Sequence, residues 1–146
     1  MEKALNSCSD VQQNLEEEIF TSVEEWLGVK LQDDAKIYFD KAHIEPDFYN
    51  AEEKIVGEIF VHVGGLLEGQ KRKVAQDVLK MLLLDKKHGC TYRKIFVVCD
   101  NVGMKFLTGD SWIAACIAEF GIEIKLIEIS EERRAEVLNA QKRQYR

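Results

Sequence analysis

The run Ile55 to Val63, I-V-G-E-I-F-V-H-V, is the stretch that most limits what this chain can fold into. It is too apolar for a strand with one wet face, so it predicts a central strand covered on both sides. Covering both faces of a sheet takes helices, which sets an α/β fold class. Glu58 sits in the middle of this run. Period-two geometry puts Val56, Glu58, Phe60 and His62 on one face, and Ile55, Gly57, Ile59, Val61 and Val63 on the other. A Glu buried there is tolerated when it is paired, protonated or bound to a metal. Just upstream, I-E-P-D-F-Y-N (Ile44 to Asn50) and a polar A-E-E read as the other arm and turn of a β-hairpin. Pro46 cannot donate to a ladder, so it belongs at an edge or bulge and fixes the backbone before Asp47. The hairpin thus brings Asp47 and Glu58 to one place. Two close carboxylates repel, and a divalent cation, with its preference for oxygen ligands, removes that cost.

The flanking elements follow from period and punctuation. Ser9 and Gln12 form a capping-box pattern ahead of Val11, Leu15, Ile19, Val23 and Trp26, predicting a helix over 10–27 stopped by Gly28. Ile37 to Phe39 suggests a short strand. Gln70 to Asp85 is a second helix with Val74, Val78, Met81, Leu82 and Leu83 as its apolar face, and Lys73, Gln76, Asp77 and Lys80 on the opposite stripe. Lys94 to Cys99 is a buried strand. Asp110 is the expected N-cap of a helix over 111–120 ended by Gly121, Ile122 to Ile129 a further strand, and Ser130 the cap of a last helix. The coarse order is α-β-β-β-α-β-α-β-α.

No repeat or Pro/Gly/Ser linker divides the 146 residues, which predicts a single domain with a mixed sheet flanked by helices. The four cysteines, Cys8, Cys90, Cys99 and Cys116, form no C-x-x-C pair and no Cys/His cluster, which argues against zinc. The polar N-terminus and the lack of an apolar run near ~20 residues argue against export and membrane spanning, and for a reduced cytoplasmic setting. A net charge of -6 argues against a nonspecific nucleic-acid coat. The charge is uneven: residues 1–60 hold 5 Lys/Arg against 15 Asp/Glu (-10), and 61–146 hold 15 against 11 (+4). That suits a metal centre beside a phosphate-binding surface, or simply two solvated faces.

Pro46-Asp47, Glu58-Ile59-Phe60 and the following helix K-R-K-V-A-Q-D-V-L-K together resemble the PD-(D/E)xK nuclease superfamily and its restriction-endonuclease-like fold. The resemblance implies an α-β-β-β-α-β core with a C-terminal α-β-α extension, and a metal-dependent endonuclease, a hydrolase of phosphodiester bonds in DNA or, less so, RNA. It implies Asp47 and Glu58 as ligands of Mg²⁺ or Mn²⁺, assisted by Glu18, and Gln76 near the active site. A homodimer is compatible with it. The family's Lys would stand where this chain has Phe60. Members that move this Lys to the next helix point to Lys73 as the substitute, with Lys71 next. Lys71, Arg72 and Lys80 are the expected phosphate contacts. His62, on the face of Glu58, is a candidate base or metal ligand, or merely a hydrogen-bonded strand-end histidine. Three readings stay open: a nuclease with a displaced Lys, an inactive member that binds nucleic acid or protein, and an unrelated scaffold with a neutralised core acid.

Overall fold

Val11, Leu15, Ile19 and Val23 recur at every fourth position, and all are buried, as the stripe of a helix lying on a sheet must be. A computed structural model describes residues 8–144, and side chains over 10–143. Helix α1 spans Cys8–Leu27 and ends at Gly28, whose φ of 70° suits glycine and whose N–H donates to the Glu24 carbonyl at 2.8 Å. The expected cap Ser9 falls inside this helix, and its side chain lies outside the described residues, as do Arg146 and the Cys8 side chain.

The remaining elements are β1 (Ile37–Phe39), β2 (Ala42–Ile44), β3 (Phe48–Asn50), β4 (Ile55–Phe60), α2 (Glu68–His88), β5 (Arg93–Val98), α3 (Asn101–Leu107), α4 (Trp112–Glu119), β6 (Glu123–Leu126) and α5 (Glu131–Gln144). The main sheet runs β3-β4-β5-β6. β3 is antiparallel to β4, with Phe48 opposite Gly57, while β4, β5 and β6 are parallel. β4 is therefore interior, as its apolar run requires, and Pro46 precedes the edge strand. The chain is one α/β domain with a mixed sheet.

Alternation along the strands divides the core into two layers. Val56, Phe96 and Val98 face Val74, Val78, Met81 and Leu84 of α2 and Ile113 and Ile117 of α4. Ile55, Ile59, Ile95 and Val97 face α1 and Val137 and Ala140 of α5. Burying each such side chain contributes about 1.5–3 kcal/mol.

Several expectations need correction. β1 pairs not with the hairpin but with β2, in a separate two-stranded ribbon turned at Asp40, a residue at φ 57°. β4 stops at Phe60 rather than Val63, because the chain leaves the sheet towards Gly64 at φ 89°. β6 is shorter than 122–129, and α2 longer than 70–85. Ser111, not Asp110, caps α4: its Oγ accepts from Ala114 N at 3.1 Å. Helix α3 was not expected at all. Gly103 lowers its helix propensity and packs beside Val98, where an added Cβ would lie at an ordinary contact distance of 3.6 Å. The Ser130 cap is present, its Oγ accepting from Arg133 N at 3.1 Å. Among the described residues no helix is long and apolar enough to cross a membrane.

Candidate functional site

The site begins where the β3–β4 ladder fails. Asp47 N–H still donates to Gly57 O at 3.1 Å, but the next residue back is Pro46, which has no N–H to offer. The Asp47 side chain takes over: its Oδ2 accepts from Ile59 N at 2.7 Å. The carboxylate is thereby fixed by β4's own backbone, one residue beyond Glu58.

Glu58 is 8% exposed and projects to the α2 side. Burial, then the charges of Asp47 and Asp77, push its carboxyl up to about 10, and Asp47 also acts as hydrogen-bond partner of the protonated form. Glu58 is thus a carboxylic acid at neutral pH, placed beside Asp47. From α2, Lys73 Nζ donates to both oxygens of Asp77, at 2.9 and 2.8 Å. Burial opposes the Lys73 charge, but Asp77, Glu58 and Asp47 more than offset it and raise its pKa. Asp77 is pulled upward by burial against the attraction of Lys73. From α1, Glu16 is raised by burial and by the Asp47 charge, while a hydrogen bond from Gln12 at 3.2 Å works the other way.

These groups line a cavity of about 380 Å³ at the end of β4, reaching from the α2 layer to α1 and α5. Asp47, Glu58, Lys73 and His62 are brought together there, as the sequence implied. Glu18 is not. It is ion-paired with Arg133 of α5 and lines a separate cavity, since the 11–15–18 stripe leans towards α5. Glu16, one turn from Gln12, is the α1 acid that faces the site. Gln76 is exposed and outside the cavity. The α2 residues that line it are Gly69, Gln70, Lys73, Val74 and Asp77, one stripe at helical spacing. Asp77, placed by sequence on the polar stripe, is 4% exposed. Its signal was available in the i, i+4 pairing with Lys73.

His62 has both ring nitrogens engaged. Nε2 donates to Gly65 O at 2.8 Å, and Nδ1 accepts from Gln70 Nε2 at 2.9 Å. Gln70 Oε1 in turn accepts from Leu67 N at 2.7 Å. The histidine holds the turn into α2 and is not a free base. The three expected phosphate contacts also part company. Nine residues at 100° each put Lys71 and Lys80 on opposite sides of α2. Lys71 sits over the Phe106 ring and pairs with Glu68, whereas Lys80 is near enough to act on Asp77. Arg72 is exposed between them.

Phe60 lines the cavity and packs on the α2-side core. Among the described residues no group of three or more His, Cys, Asp or Glu is disposed to hold a metal ion. The hard cation Mg²⁺ needs fewer, since it is commonly held by one or two carboxylates and keeps several waters. Asp47 and Glu58 are two carboxyl groups of the cavity that could supply such oxygens. No family model, curated protein or solved structure matches the chain.

Proposed function

We propose that this protein is a divergent Mg²⁺- or Mn²⁺-dependent nuclease of the PD-(D/E)xK kind, hydrolysing phosphodiester bonds of DNA and less readily RNA. The observation that supports it is the convergence of Asp47, Glu58 and Lys73 in one cavity, from a hairpin and a helix separated in sequence. The likeness to a restriction-endonuclease-like core belongs to the same proposal. It is favoured by a hairpin followed by a helix and a parallel strand, while β1 stands outside the main sheet.

In this reading Asp47 is the standing carboxylate, and Glu58 is the ligand that must first release its proton. When bound, the cation polarises a phosphoryl oxygen and lowers the pKa of water. Lys73 stabilises charge developing at the phosphate, and Asp77 holds that ammonium at the cavity. In the net reaction a water oxygen bonds to phosphorus and the bond to the leaving sugar oxygen breaks. One water proton ends on the sugar hydroxyl, and the other on the monoester or in solvent.

An inactive module that binds nucleic acid is the second reading. It is favoured by Phe60 in the family's Lys position and by the grip of Asp77 on Lys73. Calorimetric titration with Mg²⁺ and Mn²⁺, on wild type, Asp47→Asn and Glu58→Gln, comes first, followed by cleavage assays on supercoiled plasmid, linear single-stranded DNA and RNA. Wild type that binds no cation sinks the hydrolase. Cation binding without cleavage of any DNA or RNA selects the module.

A further inference from the structure

Building on the hydrolase reading, we infer that the site takes the terminal nucleotide of a single strand, entering from the α2–α5 side, rather than an internal segment of a duplex. The first ground is room. A cavity of about 380 Å³ lies at the small end of ligand pockets and matches one nucleotide. A duplex, whose major groove alone is about 12 Å wide, does not enter it. The walls are Val11 and Gln12 of α1 and Val137 and Gln141 of α5, facing Lys73 of α2. The α5 wall is anchored: the Gln141 amide donates to Val63 O and accepts from Val63 N, both at 3.0 Å.

The second ground is charge. Asp47 is reached from two directions. One is the cavity itself, where Lys73 stands among Glu16, Asp47, Glu58 and Asp77, and beyond His62 and Gln141 a further hollow bears Lys142. The other is a groove that shares Glu16 and Asp47 with the cavity and adds Glu17 and Asp33, with no Lys or Arg among the described residues of its lining. A nucleic acid running through would lay its next phosphates against Glu17 and Asp33, with no cation among the described lining residues to do there what Lys73 does in the cavity. A strand that stops at Asp47 avoids this. The groove acts here as a barrier that sets polarity.

The test uses linear single-stranded DNA, the same sequence as a closed single-stranded circle, and the blunt linear duplex, each with Mn²⁺ at pH 8. The expected result is stepwise release of mononucleotides from the linear strand, intact circles, and a duplex rate at least roughly tenfold lower. Circles cut as fast as linear strands would overturn the inference while leaving the hydrolase standing. A second variant probes the barrier: Glu17→Lys with Asp33→Lys, both exposed, is expected to make circles substrates. If circles stay intact in that variant, the acidic groove is not what excludes them and the inference fails. If no DNA is cut at all, titration of thymidine 5′-monophosphate with Ca²⁺, followed by amide NMR shifts, decides. Shifts at Ile59, Lys73 and Gln141 that vanish in Asp47→Asn support the pocket for a strand end, with the hydrolase reading lost. Absence of such shifts ends both.

Discussion

Glu58 sets the electrostatics of the site because it enters the folded state with a proton that the unfolded chain has already released. The folded carboxyl sits at about 10 against 4.5 unfolded, so between those values the native state binds one more proton. Stability therefore falls as pH rises through this window, by about 1.4 kcal/mol per unit for one proton. Glu58→Gln keeps the shape of the neutral acid and removes the titration. Urea unfolding at pH 5 and pH 8 should show the variant gaining on wild type by roughly 2–4 kcal/mol across that interval. A constant gap would mean that Glu58 is ionised in the fold. The same proton must leave when a cation binds, so calorimetry in buffers of different ionisation heat should report release of about one proton at pH 7. At Asp47 charge and structure separate cleanly. Asp47→Asn retains an acceptor for Ile59 N, while Asp47→Ala strands that N–H. The alanine variant should be the less stable of the two by about 1–3 kcal/mol in thermal unfolding. Equal stabilities would show that water replaces the carboxylate there.

At the scale of elements, the hairpin rests on a glycine that the sequence alone did not explain. A Cβ on Gly57 would fall 2.0 Å from the ring of Phe48, its cross-strand partner, which is fully buried. Gly57→Ala should cost about 1–3 kcal/mol or more through overpacking, seen as a lower Tm with lost cation binding. A stable Gly57→Ala protein would mean that Phe48 has room to move. Which parts were legible follows from how local their causes are. The existence of α1, β4 and β5 and the Ser130 cap rest on period and capping within a few residues, whereas the start of α1 and the end of β4 depart from the expected bounds. β2 depends on a turn at Asp40 in a left-handed conformation, and α3 is a seven-residue helix with a glycine at its third position, too short to leave a periodic trace. Asp47, Glu58 and Lys73, which the family resemblance implies together, line one cavity. Glu18 and Gln76 were off by a helical position or two, because spacing along one helix does not say which neighbour that face meets. Asp77 was missed because a charged residue at the border of a stripe reads as solvated until its Lys73 partner closes over it.

At the scale of the whole molecule, the uneven charge of the sequence becomes a spatial arrangement. Glu16 and Asp47 of the first half line both the cavity and the groove outside it, where Glu17 and Asp33 join them, while Lys73 of α2 and Lys142 of α5 lie on the cavity side. Lys80 follows Lys73 by seven residues, so it shares that side of α2, while Lys71 is turned away over Phe106. If a strand approaches across the cavity side, Lys80 meets phosphate and Lys71 does not. Each phosphate contact contributes close to one released counterion to the salt dependence of binding. Fluorescence anisotropy with a labelled single-stranded oligonucleotide and Ca²⁺, over a series of salt concentrations, measures that slope directly. Lys80→Ala should reduce it by about 0.7, the value per contact for a single strand, with weaker affinity for every sequence, and Lys71→Ala should leave it unchanged. Both side chains project from the outer part of the same helix, so general loss of helix stability would move the two variants together. A slope lowered by Lys71→Ala and not by Lys80→Ala would place the nucleic acid along the α3 side of α2, where no path to Asp47 and Glu58 is lined by the described cavity.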